Sequence, residues 1–275
     1  MAELVWINGD LFDVGDATVS AFDHGLTVGD GVFETLKAVD GTPFATRRHL
    51  VRLRRSAFGL GLTVPVDDDS LRAAMAQVLA SCPRSLARVR VTLTGGRAPL
   101  GSDRGTNGPT IIVAAAPLAE VPATAAVCTV PWPRNERGPL AGIKTTSYAE
   151  NVVALAFAKE RGCSEAIFAT TEGLLCEGTG SNVFAVLGGR IVTPPLTSGC
   201  LAGVTRDLVL EVTDAREEDI PMQAFLAADE VFLTSTGRDV QGVHRLDERA
   251  LDAPGARTAT AAAAFAALAA ASVDP

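Results

Sequence analysis

The feature that most restricts the fold is an irregular succession of strand and helix patterns, broken once by a Pro-, Ala- and Glu-rich stretch at 117–122. Residues 87–94 set Val89, Val91 and Leu93 against Arg88, Arg90 and Thr92, the two-residue period of a half-buried strand. From Arg47 to Leu60, Leu50, Leu53, Ala57 and Leu60 recur at three- to four-residue spacing, which predicts a helix. Asp68–Ser70 predicts the cap of a second helix over 71–81, while 3–7, 32–39 and 110–116 read as strands. Asp40-Gly41 reads as a hairpin turn into 42–45.

Beyond the break, strands are predicted at 125–130, 165–169, 182–187, 190–193 and 230–233, and helices at 149–161, 205–213 and 257–272. The last is alanine-rich, and alanine is the strongest helix former. A doubly wound parallel sheet needs regular alternation, which is missing here. Two α+β domains fit better: a smaller one over 1–117, a linker at 118–122 and a larger one over 123–275.

The chain carries 24 basic and 32 acidic residues, a net charge of −8, which argues against a nucleic-acid partner. No apolar run approaches the ~20 residues of a membrane span, and the N-terminus lacks a signal-peptide pattern. Five cysteines (82, 128, 163, 176 and 200) with no CxxC read as reduced thiols of a cytoplasmic protein. Three histidines without ligand spacing argue against a metal site.

Only three of the basic residues are lysines: Lys37, Lys144 and Lys159. An amine can lose its proton and arginine cannot, so a lysine retained in an arginine-biased chain is a candidate for chemistry. Lys144 is predicted at the start of a helix, among hydroxyls and apolar residues. A helix N-terminus disfavours a protonated amine, which suits a covalent-catalysis lysine. Lys37 and Lys159 read as ordinary solvated residues. Gly203 ahead of a helix, with Thr205 in its first turn, reads as an anion site. Thr234-Ser235-Thr236-Gly237 could add hydroxyl and amide donors.

Glu177-x-Thr179-x-x-Asn182-Val183-Phe184, then Ile191-x-Thr193, then Leu201-x-Gly203-Val204-x-Arg206, resembles the signature of class IV aminotransferases, the fold-type IV pyridoxal-phosphate enzymes. The likeness extends to Phe22-Asp23-His24-Gly25, to Gly29-Asp30-Gly31-Val32-Phe33-Glu34-Thr35 and to His49-Leu50-Val51-Arg52-Leu53. Asp229 to Thr236 resembles the family's last cofactor-contacting turn.

The resemblance implies an α+β, D-amino-acid-aminotransferase-like fold, pyridoxal 5'-phosphate as cofactor and a homodimer. It implies that Lys144 carries the cofactor and moves the proton, and that Glu177 lies beside the pyridine nitrogen. Arg52, Val204, Thr205 and Thr236 would hold the phosphate, with Tyr148 also at the cofactor. Phe33, Arg97 and Arg134 are expected at the substrate.

Within the family, Pro133-Arg134-Asn135 and Leu140-Ala141-Gly142-Ile143-Lys144, with Gly95-Gly96-Arg97, resemble aminodeoxychorismate lyases. That implies conversion of 4-amino-4-deoxychorismate to p-aminobenzoate and pyruvate, in folate biosynthesis. The alternative is a transaminase of D-amino acids, branched-chain amino acids or amines. Tyr148 falls four residues after the lysine, where branched-chain aminotransferases place a tyrosine at five. Phe33 stands where D-amino-acid transaminases carry tyrosine, and the histidine of their Arg-x-His pair is absent after Arg97.

Overall fold

A computed structural model of the protein describes residues 3–275 and contains two sheets, each in its own compact unit. The first unit comprises the residues up to Glu120 together with Ile143–Tyr148 and Val273–Pro275; the second comprises Val121–Gly142 and Ala149–Ser272. The division expected at 118–122 therefore differs in two places, because two short segments join the first unit out of sequence order. Lys144, expected on the C-terminal domain, is in one of them. Backbone pairing is the reason: the Phe33 N–H donates to the Lys144 carbonyl at 3.0 Å, and the Thr146 N–H to the Gly31 carbonyl at 2.8 Å.

In the first unit, strands β1 (Leu4–Ile7), β2 (Asp10–Asp13), β3 (Gly31–Val39), β4 (Thr42–Pro43), β5 (Leu86–Thr94) and β6 (Thr110–Pro117) form an antiparallel sheet. Its order is β2-β1-β6-β5-β3-β4. Helices α1 (His24–Thr27), α2 (Thr46–Gly59) and α3 (Asp68–Ser81) complete it. Asp67, one residue before the predicted cap, accepts the Ser70 N–H at 2.8 Å.

The predicted alternation in β5 sets the two faces of the sheet. Val89, Val91 and Leu93, with Val32, Leu36 and Ala38 of β3, pack against Leu50, Leu53 and Ala57 of α2 and Leu71, Met75 and Val78 of α3. Each fully buried leucine contributes ~1.5–3 kcal/mol. The other face carries Phe33, Thr35 and Lys37 paired with Thr92, Arg90 and Arg88.

The second unit holds β7 (Thr124–Thr129), β8 (Glu165–Ala169), β9 (Leu175–Gly178), β10 (Asn182–Leu187), β11 (Arg190–Thr193), β12 (Arg216–Glu217), β13 (Glu230–Ser235), β14 (Asp239–Leu246) and β15 (Arg249–Ala250). The order is β12-β11-β10-β13-β14-β7-β8-β9, with β15 beside β14. Pairing of β7 with both β8 and β14 is parallel. Helices α4 (Ala149–Glu160), α5 (Val204–Val212), α6 (Met222–Leu226) and α7 (Ala256–Ala271) accompany the sheet. Neither β9 nor β14 has a sequence pattern that predicts a strand. β14 carries Gly242, His244 and Arg245 and gains its structure from pairing with β13 and β7 on either side.

One loop of the first unit is latched by charge. His24 places Nδ1 2.9 Å from Asp30 Oδ2 and Nε2 2.8 Å from the Gly101 carbonyl. Two acceptors require two ring protons, so the imidazolium alone satisfies both. Arg104 donates to Asp30 through Nε at 2.7 Å and Nη2 at 2.6 Å. The hydrogen bond to Asp30, then that to Gly101, raises the His24 pKa above its ordinary 6.5. The latch is therefore complete below pH 6.5 and is lost as pH rises through the folded-state value. Proteolysis of the 98–105 loop, normalised to an unstructured peptide, should accelerate through that rise. His24→Gln should remove the pH dependence; if the wild-type rate is flat across it, the latch is not protonation-controlled.

Candidate active site

The expected residues fall into two sets, one in each unit. In the first unit the organising group is Glu34, a fully buried carboxylate on the core face of β3. Arg52 of α2 grips it with a fork, Nε to Oε1 and Nη2 to Oε2, both at 2.7 Å. His49, one turn earlier on α2, places Nδ1 2.6 Å from Oε2. Burial alone would raise the Glu34 pKa, but the charge and hydrogen bonds of Arg52 and the bond from His49 bring it down to about 2. Burial depresses the His49 pKa against the pull of Glu34, so the ring is neutral and donates through Nδ1.

Ser56, one turn beyond Arg52, accepts the Lys144 N–H at 3.3 Å. Lys144 thus lies in an extended segment held by β3 and α2, five residues before α4 begins, and not in a helical first turn. The helix-terminus argument for its chemistry is replaced by different surroundings. Its Nζ lies 4.5 Å from the centroid of the Phe33 ring, which also carries the Arg90 guanidinium at 3.7 Å. Tyr148 meets the same ring edge-on, with centroids 5.2 Å apart. The Gly-Asp-Gly of the N-terminal motif has a local cause here. A Cβ on Gly31 would stand 2.7 Å from the Leu93 carbonyl, and Gly29 takes a φ of +71° beneath Ser147.

In the second unit Glu177 lies near the end of β9. Its Oε2 accepts the Leu201 N–H at 2.9 Å, and its Oε1 lies 3.6 Å from Arg134 Nε. Arg134, expected to bind substrate, is instead committed behind this carboxylate. It bonds Glu150 and Asn151 at 3.1 and 2.6 Å and lies over the Phe168 ring. A buried Glu165 on β8 fixes the turn after Glu177, accepting the Thr179 N–H at 2.9 Å, the Thr179 hydroxyl and the Ser181 hydroxyl. Asn182 then donates to the Leu201 carbonyl at 2.8 Å, closing a loop of bonds around Glu177.

The start of α5 fits a phosphate. Gly203 occupies the cap position without a side-chain cap, leaving first-turn N–H groups unfilled by the helix itself. A Cβ at Gly203 would come within 1.9 Å of Asn182 Oδ1, so a larger residue there would have to displace that amide. Val204 and Thr205 are buried in that first turn. Thr234, paired across the strands with Asn182, keeps a buried hydroxyl without a hydrogen-bond partner. Such a donor set suits an anion with several oxygens. Thr236 lies half-buried two residues on, and Arg97 is exposed in the loop after β5.

Two residues escaped the sequence reading. Glu34 shares a strand face with Val32, Leu36 and Ala38, and a charge at such a position signals a buried partner. Arg90 alternates in phase with Arg88 on the open face, but strand period alone does not show that Phe33 and Lys144 stand beside it.

The class IV aminotransferase family model, described as amino-transferase class IV, matches residues 31–246. The chain belongs to this family. It is accordingly a pyridoxal-phosphate enzyme of fold type IV. A Methanocaldococcus jannaschii protein provisionally named a branched-chain-amino-acid aminotransferase is 32% identical, over 90% of this chain and 89% of its own length. An aminodeoxychorismate lyase of Bacillus subtilis is 30% identical, over 89% and 87% respectively. The branched-chain aminotransferase of Thermoproteus uzoniensis, solved with norvaline, superposes with a TM-score of 0.90 at 28% identity, covering 97% of this chain and 94% of that one.

Removing the Glu34 carboxylate leaves Arg52 buried without its counter-charge, so Glu34→Gln should cost about 3–5 kcal/mol in chemical denaturation. The ionised Glu34 contributes stability in full above pH 4.5, lost as pH falls toward about 2, and the variant should lack that acid-sensitive component. Lys144→Arg should abolish the visible absorbance of bound pyridoxal phosphate, whereas Lys37→Arg and Lys159→Arg should retain it.

Proposed function

We propose that the protein is an amino-acid transaminase, exchanging an amino group between an amino acid and a 2-oxo acid. The observation that carries this reading is the Phe33 ring, which places the Lys144 amine and the Arg90 guanidinium over one small apolar platform. A substrate whose reacting carbon bears a carboxylate suits an amine and a cation that both contact one ring. A plain amine would leave Arg90 without a counter-charge.

Lys144 would hold the cofactor and move a proton at Nζ. Bound pyridoxal phosphate supplies an electron-withdrawing ring that makes the α-proton of an attached amino acid acidic. Glu177 would accept the pyridine N–H, its negative charge stabilised by the Leu201 N–H and the Arg134 guanidinium. For the phosphate, the first turn of α5 with Val204 and Thr205, and the hydroxyl of Thr236, would serve in the second unit, and Arg52 is the candidate that the first unit offers. Arg90 orients the α-carboxylate, Phe33 covers the apolar part of the substrate, and Tyr148 supports Phe33 from its edge.

The lyase reaction uses the same proton transfer at Lys144 and draws support from the similarity to the Bacillus subtilis enzyme. Its polyanionic substrate was expected to use Arg134, which is committed to Glu177, and Arg97, which is exposed. This favours the transaminase. A homodimer is proposed from the family, supported by the exposed apolar group Phe22, Leu26, Val28 and Leu100 in the first unit. Five buried cysteines, none disulfide-bonded, fit a reducing compartment such as the cytoplasm.

The deciding assay offers the holoenzyme L- and D-amino acids with 2-oxoglutarate, and separately 4-amino-4-deoxychorismate. Turnover of amino acids is expected; release of p-aminobenzoate and pyruvate without amino transfer would reverse the assignment. Arg90→Gln should raise KM for the amino acid about 10- to 100-fold, the worth of a charge-assisted hydrogen bond.

A further inference from the structure

Helix α2, which presents His49, Arg52 and Ser56, has no cap of its own. Ala45 occupies the cap position with a left-handed φ of 54°, its methyl group accepts nothing, and no acidic residue lies in the first turn. Its acceptors come from the far end of the described chain. The Val273 carbonyl accepts the Ala45 N–H at 2.8 Å, and Asp274 Oδ1 accepts the Arg47 N–H at 2.9 Å. Asp274 Oδ2 also lies 3.2 Å from Arg72 of α3, and the Pro275 carbonyl takes Arg48 Nε at 2.9 Å.

We propose that Asp274 is a positioning residue for cofactor binding, acting through α2 as the N-cap that the helix lacks. The inference rests on the reading of Arg52 as a phosphate ligand. The path is short. Arg47 lies in the first turn; His49 closes that turn by donating its N–H to the Ala45 carbonyl at 3.2 Å. His49 and Arg52 then share one carboxylate, Glu34. A frayed first turn releases His49, and the Arg52 fork loses the neighbour that fixes Glu34 against it. Asp274 also sets a negative charge at the positive end of the helix, which adds to the effect of its hydrogen bond.

The test titrates pyridoxal phosphate into apoprotein and follows bound-cofactor absorbance, with kcat measured separately at saturating cofactor. Asp274→Ala should raise the cofactor dissociation constant about 3- to 10-fold, within the range of a lost N-cap, while kcat at saturation stays within about twofold. Asp274→Asn keeps an accepting oxygen and should recover most of the affinity. Arg72→Ala removes only the ion pair and should leave affinity near wild type. If Asp274→Ala lowers the apoprotein melting temperature and leaves the dissociation constant unchanged, the residue is merely structural and the proposal fails. Asp274→Asn binding as weakly as Asp274→Ala also overturns the capping role. Wild-type protein that takes up no pyridoxal phosphate, and whose Lys144 is not labelled on borohydride treatment, would overturn the functional reading itself. Wild-type uptake with unaltered Asp274→Ala affinity overturns this inference alone.

Discussion

A carboxylate with no solvent exposure, on the core face of a central strand, must find positive charge or lose its own. Desolvating such an ion costs several kcal/mol even after relaxation. Glu34 meets this demand through the charge of Arg52, with a hydrogen bond from the neutral His49, and in doing so dictates how α2 sits on the sheet. Both residues must face β3, so the helix cannot rotate about its axis. Ser56 lies on the same side and takes the backbone of Lys144. One buried ion cluster therefore orients the helix, and the helix in turn holds the backbone of Lys144.

The second unit solves a similar problem with weaker bonds and more of them. Glu177 is not enclosed by a single cation. It is surrounded by a backbone N–H, a guanidinium at one remove, and a turn tied by Glu165. Arg134 belongs to this network because its aromatic platform and its two polar partners all lie in the same unit as Glu177. Its charge serves the carboxylate, and a role in gripping substrate would require those bonds to break.

Much of the fold was legible because local pattern and tertiary demand agree. The alternation in β5 and the three- to four-residue spacing in α2 mark the faces that the core buries. The motif around 177–206 was legible through its likeness to the family signature, and its residues prove to be mutually bonded: Asn182 holds the Leu201 carbonyl and the Leu201 N–H supports Glu177. What the sequence hid is non-local. The place of Lys144 depends on pairing with β3, β14 depends on its two neighbours, and α2 is capped by a segment 227 residues away. Arg134 was expected at the substrate from the likeness of 133–144 to aminodeoxychorismate lyases, and likeness of sequence says nothing of which partners a guanidinium takes.

The approach of Asn182 to Gly203 has a consequence for how the protein can change. The amide oxygen fills the volume that any larger residue at 203 would need. The amide nitrogen meanwhile holds the Leu201 carbonyl, whose own N–H supports Glu177. A larger residue at 203 therefore requires the Asn182 side chain to move, and moving it disturbs the brace on Leu201. The two positions are thereby coupled: a change at 203 is felt at 182 and, through Leu201, at the Glu177 carboxylate.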